Sequence, residues 1–347
     1  MSRRLPMWLV IASLALSVPA AGALGEPRLE MQKIVVSQSG AGDPTLYTPY
    51  YVAQAKGFFR EQGLEVSADG VAGVQELVQM ANGQAQFASY TTFAVLSAAK
   101  GRPLITVAEL VDQYGMDVVL SNAALAKKHV SRSDPIAKRI EALRGMRIGI
   151  TSVGSGADTF ARYVFPKYGL DPDKDVVLVT LGSCAAEMAA LQSGNIDAFL
   201  CGLPAPAEAE VRGFGKIIVS GGAGDVPELR GIVYSGYFAR PDFIAQNPNT
   251  VQAFVNAITK AIRFIHQHPA DAENIVAQQN ASFDPAIYKA TFDAFLKTVT
   301  KTTVVRADGM ARMIDVIKTT TPSAAGLDAY KLIDNTFAER AMKTVGR

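Results

Sequence analysis

Residues 149–160, GITSVGSGADTF, place Gly149, Gly154 and Gly156 where an apolar run ends and a helical spacing begins. Glycine removes the side chain at a turn, so backbone N–H groups and a helix N-terminus can face whatever sits there. Three occupants fit such a turn: a nucleotide phosphate, the charged end of a small solute, or nothing beyond the turn itself. The nucleotide reading fails on detail. Asp158 and Thr159 stand where a third glycine or a lysine would complete G-x-G-x-x-G or G-x-x-x-x-G-K-[ST].

Catalytic groupings are sparse. His266 and His268 lie beside Pro269 at a helix end, and His129, the third histidine, sits in the charged run AKKHVSRSD. No G-x-S-x-G, H-E-x-x-H or C-x-x-C occurs. Asp112 and Asp117 flank Tyr114 in LVDQYGMDVVL, a spacing that reads as surface and turn chemistry rather than an acid–base pair. No nucleophile comes with a base, so the expectation is a protein that is not an enzyme, with no catalytic residue, cofactor or metal. Cys184 and Cys201 are the two cysteines. In an oxidising compartment they could form a disulfide, or they could stand as two buried thiols.

The elements that must position any site come from a duplication. KIVVSQSGAG (33–42) and RIGITSVGSG (147–156) align without a gap, each ending in Gly-x-Gly. GFFREQGLEV and VFPKYGLDPDKDVVLV each carry a Gly-Leu turn before a strand, and Glu76 and Glu187 each precede a glycine, Gly83 and Gly194, by seven residues. Each copy therefore reads strand, glycine turn, helix, strand, helix, glycine turn, strand. The spacing of Val74, Leu77, Val78 and Ala81, and of Ala157, Phe160, Ala161 and Val164, gives each copy a helix with one apolar stripe. Thr48 and Pro49 read as an N-cap and first-turn pair, and Ser155 with Asp158 resembles a capping box. KIVVS, RIGIT and DVVLV read as parallel strands covered on both faces. From about residue 246 the spacing changes to successive helices, a packing layer without chemistry.

The predicted fold is α/β, two similar lobes. Ligands in open parallel sheets sit outside the carboxyl ends of the strands. If the lobes face each other, the helix starts near Pro49, Gly73, Ser155 and Cys184 point into one cleft, and each favours a negative group. Tyr47, Tyr50, Tyr51, Tyr90, Tyr234 and Tyr237 gather at the same ends and read as walls for an organic ligand body.

The first 23 residues read as a secretory signal: a basic start, MSRR, a ten-residue apolar run, LVIASLALSV, and a small-residue ending, PAAGA, cleaved after Ala23. The run is shorter than the roughly 20 residues a span needs. Loss of Arg3 and Arg4 takes the formal net charge from +2 to 0. A neutral chain has no electrostatic reason to seek nucleic acid or acidic membrane.

With the signal, the runs TPYYVAQAKGFFREQGLEV, GVAGVQELVQMANGQAQFA and MAALQSGNIDAFLCGLPAPAEA make the chain resemble the nitrate/sulfonate/taurine-type (SsuA/TauA/NMT1-like) solute-binding proteins of ABC importers. The resemblance implies a type II periplasmic binding protein: lobe 1 from 24–117 with 232–347 and its C-terminal helices, lobe 2 from 118–231, and crossing segments near 115–121 and 230–238. It implies a monomer in the periplasm, a small organic anion as ligand and an ABC permease as partner; the alternative readings are a thiamine-pyrimidine-precursor-type enzyme or binder and a ligand-sensing periplasmic partner of a membrane receptor, using the same cleft. The binding set carried by the resemblance and the strand ends is Ser39, Tyr47, Tyr50, Gly73, Val74, Ser89, Tyr90, Thr91, Thr92, Ser155, Gly156, Pro204 and Tyr234. One departure stands out. The run before Pro204 is LCGLP, without the tryptophan and acidic residue common in sulfonate binders, and the single tryptophan, Trp8, lies in the signal. The fungal pyrimidine-synthesising relatives carry a cysteine-rich run that this chain lacks.

Overall fold

A computed structural model describes residues 28–38, 46–71, 74–279 and 284–345. The signal segment therefore lies outside the described residues. The chain begins with β1 (Lys33–Ser37), α1 (Thr48–Ala55), α2 (Phe58–Glu61), β2 (Glu65–Ala68), α3 (Val74–Ala81), β3 (Phe87–Tyr90), α4 (Thr91–Ala99) and β4 (Ile105–Val111). It continues through β5 (Asp117–Ser121), α5 (Asn122–Lys128), α6 (Ile136–Glu141), β6 (Arg147–Ile150), α7 (Gly156–Val164), β7 (Val177–Thr180), α8 (Cys184–Gln192), β8 (Ala198–Cys201), α9 (Ala205–Val211) and β9 (Gly215–Ser220). Then come β10 (Ser235–Ala239), α10 (Pro241–Gln246), α11 (Pro248–Gln267), α12 (Pro269–Gln279), α13 (Pro285–Phe295), α14 (Ala307–Ile317) and α15 (Thr336–Thr344).

The strands form two five-stranded sheets of matching order, β2-β1-β3-β10-β4 and β7-β6-β8-β5-β9. In each, three parallel strands from one copy of the duplication sit beside one strand that runs against its neighbours. That strand is β10 in the first sheet, antiparallel to β3 and β4, and β5 in the second, antiparallel to β8 and β9. The chain passes between the lobes through residues 112–116 and 221–234; residues 117–121 and 235–239 are strands within the sheets, which moves the crossings earlier than the sequence suggested.

Burial follows the apolar stripes. Phe160, Ala161 and Val164 of α7 are fully covered, as are Ile34 and Val36 of β1. The strand expected from DVVLV differs: β7 is an edge strand with no fully buried residue, and Val177 is 58% exposed. An edge strand lacks a neighbour on one side, so a continuous apolar run does not guarantee cover on both faces. The first-helix reading also shifts by one residue. Tyr47 is the N-cap of α1 and gives no side-chain cap; Thr48 is the first helical residue, its side chain buried.

In the first lobe α11 lies along α1, α2 and α15, while α13 reaches across to α9 and α14 to α7 in the second lobe. The centre of the first core is aromatic. Phe254 of α11 stacks on Phe87 at 4.0 Å and on Phe59 at 5.5 Å, with Tyr237 edge-on at 4.9 Å. Phe254 is 0% exposed, and truncating such a ring removes transfer energy and leaves a cavity. Phe254→Ala is expected to lower unfolding free energy by about 3–5 kcal/mol in urea titrations followed by circular dichroism.

Candidate ligand-binding cleft

Five buried polar side chains sit at the ends of β1 and β3 and at the starts of α1 and α4. Ser37 Oγ, Gln38 Nε2, Thr48 Oγ1, Ser89 Oγ and Thr91 Oγ1 have no hydrogen-bond partner among the described residues, and all five residues are 0% exposed. β1 and β3 are adjacent, with Ser37 paired to Ala88, which places Gln38 beside Ser89 on one face of the sheet and Ser37 on the other. An unsatisfied buried polar group costs about 1–3 kcal/mol, so this cluster is held at an expense. Ser89 and Thr91 were expected here from sequence; Ser37 and Gln38 were not, and Thr48 had been read as a cap. Thr92 is half-buried one residue on. Ser39 and Gly73 lie outside the described residues, and Val74 is the first residue of α3.

The tyrosines fall into two groups. Tyr47 and Tyr50 are buried beside Tyr237, whose hydroxyl donates to Gln38 Oε1 at 3.3 Å. Burial, with Tyr51 alongside, pushes the Tyr50 phenol up to about 12. The second group joins the lobes: the Tyr90 and Tyr234 hydroxyls hydrogen-bond at 2.9 Å, and the Tyr234 ring packs 5.0 Å from that of Tyr114. Tyr114 donates its hydroxyl to the Gly156 carbonyl at 3.1 Å. A Cβ at Gly156 would lie 2.8 Å from Met116 Cε and 3.3 Å from the Tyr90 hydroxyl, so first-lobe Tyr90 closes directly on the start of α7. Ser235 donates to the Ser89 carbonyl at 2.7 Å and fixes the end of β3.

The helix starts of the second lobe are already engaged. Ser155 Oγ accepts the Asp158 N–H at 3.3 Å, but the Asp158 carboxylate returns to the Gly154 N–H at 2.8 Å and takes Arg162 at 2.9 Å. The expected capping box is thus displaced by one residue, and the carboxylate itself meets the positive end of α7. At α8, Ser183 caps through the Ala186 N–H, and Cys184 is joined to Cys201 at the end of β8 by a disulfide, Cα–Cα 6.1 Å. Glu187, one turn into α8, is 0% exposed, and burial raises its carboxyl to about 8. Pro204 follows a cis Leu203–Pro204 bond at the start of α9.

Between the crossing segments lies a cavity of about 80 Å³, bounded by Leu46, Gly115, Leu203, Tyr234, Arg132 and Lys297 among others. The C-terminal segment, read from sequence as a layer without chemistry, thus reaches the cleft through Lys297. Asp117 also lines it, and neither Asp112 nor Asp117 is surface turn chemistry. Asp117 is 7% exposed, and Asp112 lies 3.8 Å from Arg306. Desolvation raises Asp117 to about 6, against the lowering effect of Ser220 and Arg132; Asp225 and Glu210 add to the rise.

Residues 38–280 match the model of the NMT1-like family. YtlA of Bacillus subtilis, named as a binding protein, is 27% identical over 258 residues, 72% of each chain. A 4-amino-5-hydroxymethyl-2-methylpyrimidine phosphate synthase of Saccharomyces cerevisiae is 26% identical over 246 residues, 66% of each. The crystal structure of the periplasmic aliphatic sulphonate binding protein SsuA from Escherichia coli shares the fold, with a TM-score of 0.70 at 16% identity, covering 88% of this chain and 92% of that one.

Asp117 makes the cleft sensitive to pH. Its folded form keeps a proton that the unfolded chain releases near pH 4, so this contribution to stability is full below that value and is lost as pH rises through about 6. At about 1.4 kcal/mol per pKa unit the loss is about 3 kcal/mol. Urea titrations between pH 4 and 7 are expected to show the stability of the wild type relative to Asp117→Asn falling by about that amount as pH rises.

Proposed function

The chain belongs to the NMT1-like family, and from that premise we propose that it is the extracytoplasmic solute-binding protein of an ABC importer. It captures a small organic anion, a sulfonate, carboxylate or relative, between its lobes and hands it to a membrane permease. It acts as a monomer in the periplasm after cleavage behind Ala23. Lobe 1, 24–117 with 232–347, and lobe 2, 118–231, close about the crossing segments, a hinge transition of known kind.

The observation that carries this reading is the set of buried donors without partners among the described residues: Ser37 Oγ, Gln38 Nε2, Thr48 Oγ1, Ser89 Oγ and Thr91 Oγ1. Hydroxyl and amide donors ask for an acceptor, and the starts of α1 and α4 add two positive backbone ends. An oxyanion satisfies several of them at once, while Tyr47, Tyr50 and Tyr90 offer ring surface to the ligand body. The family match and the binding proteins among the relatives support capture rather than turnover. A ten-atom ligand at micromolar affinity, about −8 kcal/mol, lies within the efficiency of small ligands.

A thermal-shift panel of sulfonates, nitrate, aromatic carboxylates and pyrimidines on the mature chain tests the reading. Stabilisation is expected from anions, growing as RT ln(1 + [L]/Kd). A response to uncharged compounds alone would end the anion assignment, and conversion of any panel member without added partners would end the binding-only role. Ser89→Ala and Thr91→Val carry a sign that a packing role would reverse. Each removes a buried unsatisfied group, so the ligand-free chain gains up to about 1–3 kcal/mol while the preferred anion binds about tenfold or more weakly.

A further inference from the structure

The second lobe holds a cluster that the ligand reading does not use. Cys184 is the first residue of α8, Glu187 follows three residues on, and Cys201 ends β8. The i, i+3 spacing turns Cys184 and Glu187 to one face of the helix, toward the end of β8. The two sulfurs and a Glu187 carboxylate oxygen all lie within 4.8 Å of one another. Glu187 is the second, independent sign: it is 0% exposed, and neither carboxylate oxygen has a hydrogen-bond partner among the described residues. Carboxylates are almost never fully buried unless paired or bound to a metal.

We propose that reduction of the Cys184–Cys201 disulfide opens a Zn²⁺ site made by Cys184 Sγ, Cys201 Sγ and Glu187. A dithiol reductant supplies two electrons and two protons: the S–S bond breaks, two thiols form, and the dithiol closes to its own disulfide. Zinc then displaces the thiol and carboxyl protons. Two thiolates and one carboxylate suit this borderline-soft ion, and Zn–S near 2.3 Å with Zn–O near 2.1 Å puts tetrahedral donors about 3.5–3.8 Å apart. The donors therefore need shifts of about an ångström. The N-terminus of α8 favours the Cys184 thiolate. Cys184 is only half-buried, which leaves an entry path and a fourth position for water. In the oxidised chain the sulfurs are bonded to each other and the site is closed, so metal binding reports the redox state of the compartment.

The test uses the full mature chain, oxidised or reduced with a dithiol and freed of reductant without air, and titrated with Zn²⁺ against a chromogenic chelator. One zinc per reduced chain is expected and none per oxidised chain; Co²⁺ in place of zinc gives thiolate-to-metal charge-transfer absorption. Glu187→Gln is expected to keep that absorption and weaken zinc at least about tenfold, the lower range for losing even an outer partner of a ligand. Cys201→Ser removes the absorption, and Cys184→Ser at the more exposed position does the same with less risk to the core. The site is excluded if the reduced chain takes up no zinc, if Glu187→Gln binds as tightly as the wild type, or if reduction alone abolishes the near- and far-ultraviolet dichroism of the fold. Because the solute panel runs on oxidised protein, its outcome and this one are separable.

Discussion

Everything in the molecule depends on an exchange of strands. The chain leaves the first sheet after β4 and enters the second as β5, between β8 and β9; it returns after β9 as β10, between β3 and β4. Each crossing therefore ends in an interior strand bonded on both edges, and neither lobe completes its sheet from its own copy of the duplication. The two crossings touch backbone to backbone: at Gly221 a Cβ would collide with the Tyr114 and Met116 carbonyls. Residues 112–116 and 221–234 are thus the two backbone crossings between the sheets, with paired strands on either side.

That framework explains how the strand ends can carry unsatisfied groups. Interior strands position Ser37 and Ser89, and the start of α4 directly after β3 positions Thr91, regardless of what their side chains bond to. Behind them lies the aromatic core, where Phe59, Phe87, Tyr237 and Phe254 pack together. The lobes differ in this respect. The first presents buried donors that find no partner among the described residues; the second has answered its helix starts internally, with Asp158 at α7 and Ser183 at α8.

The duplication, the glycine turns and the helical stripes were legible in the sequence, because glycine and apolar spacing act locally. Strand direction was not: DVVLS and SGYFA carry no mark that they run against their neighbours, which is decided by where the chain crosses. Nor does DVVLV reveal that it forms an edge. Within the cleft, Ser89 and Thr91 could be found because they follow a buried strand directly. Gln38 could not, since a single polar residue after KIVVS reads as the strand leaving the core, whereas it is enclosed by Tyr237. Asp117 looked like a turn residue for the same reason; only pairing with Cys201 and Ser220 on its two sides buries it. The pairing of Cys184 with Cys201 depends on the end of β8 meeting the start of α8, a three-dimensional fact that a separation of 17 residues leaves open.

The bare backbone at Gly156 permits a close approach between the two halves. Tyr90 reaches the start of α7 because no carbon stands there, and Met116 fills the space to one side. One missing methyl thus lets a first-lobe phenol and a crossing-segment thioether lie against the backbone that opens α7, a contact any other residue at that position would push apart.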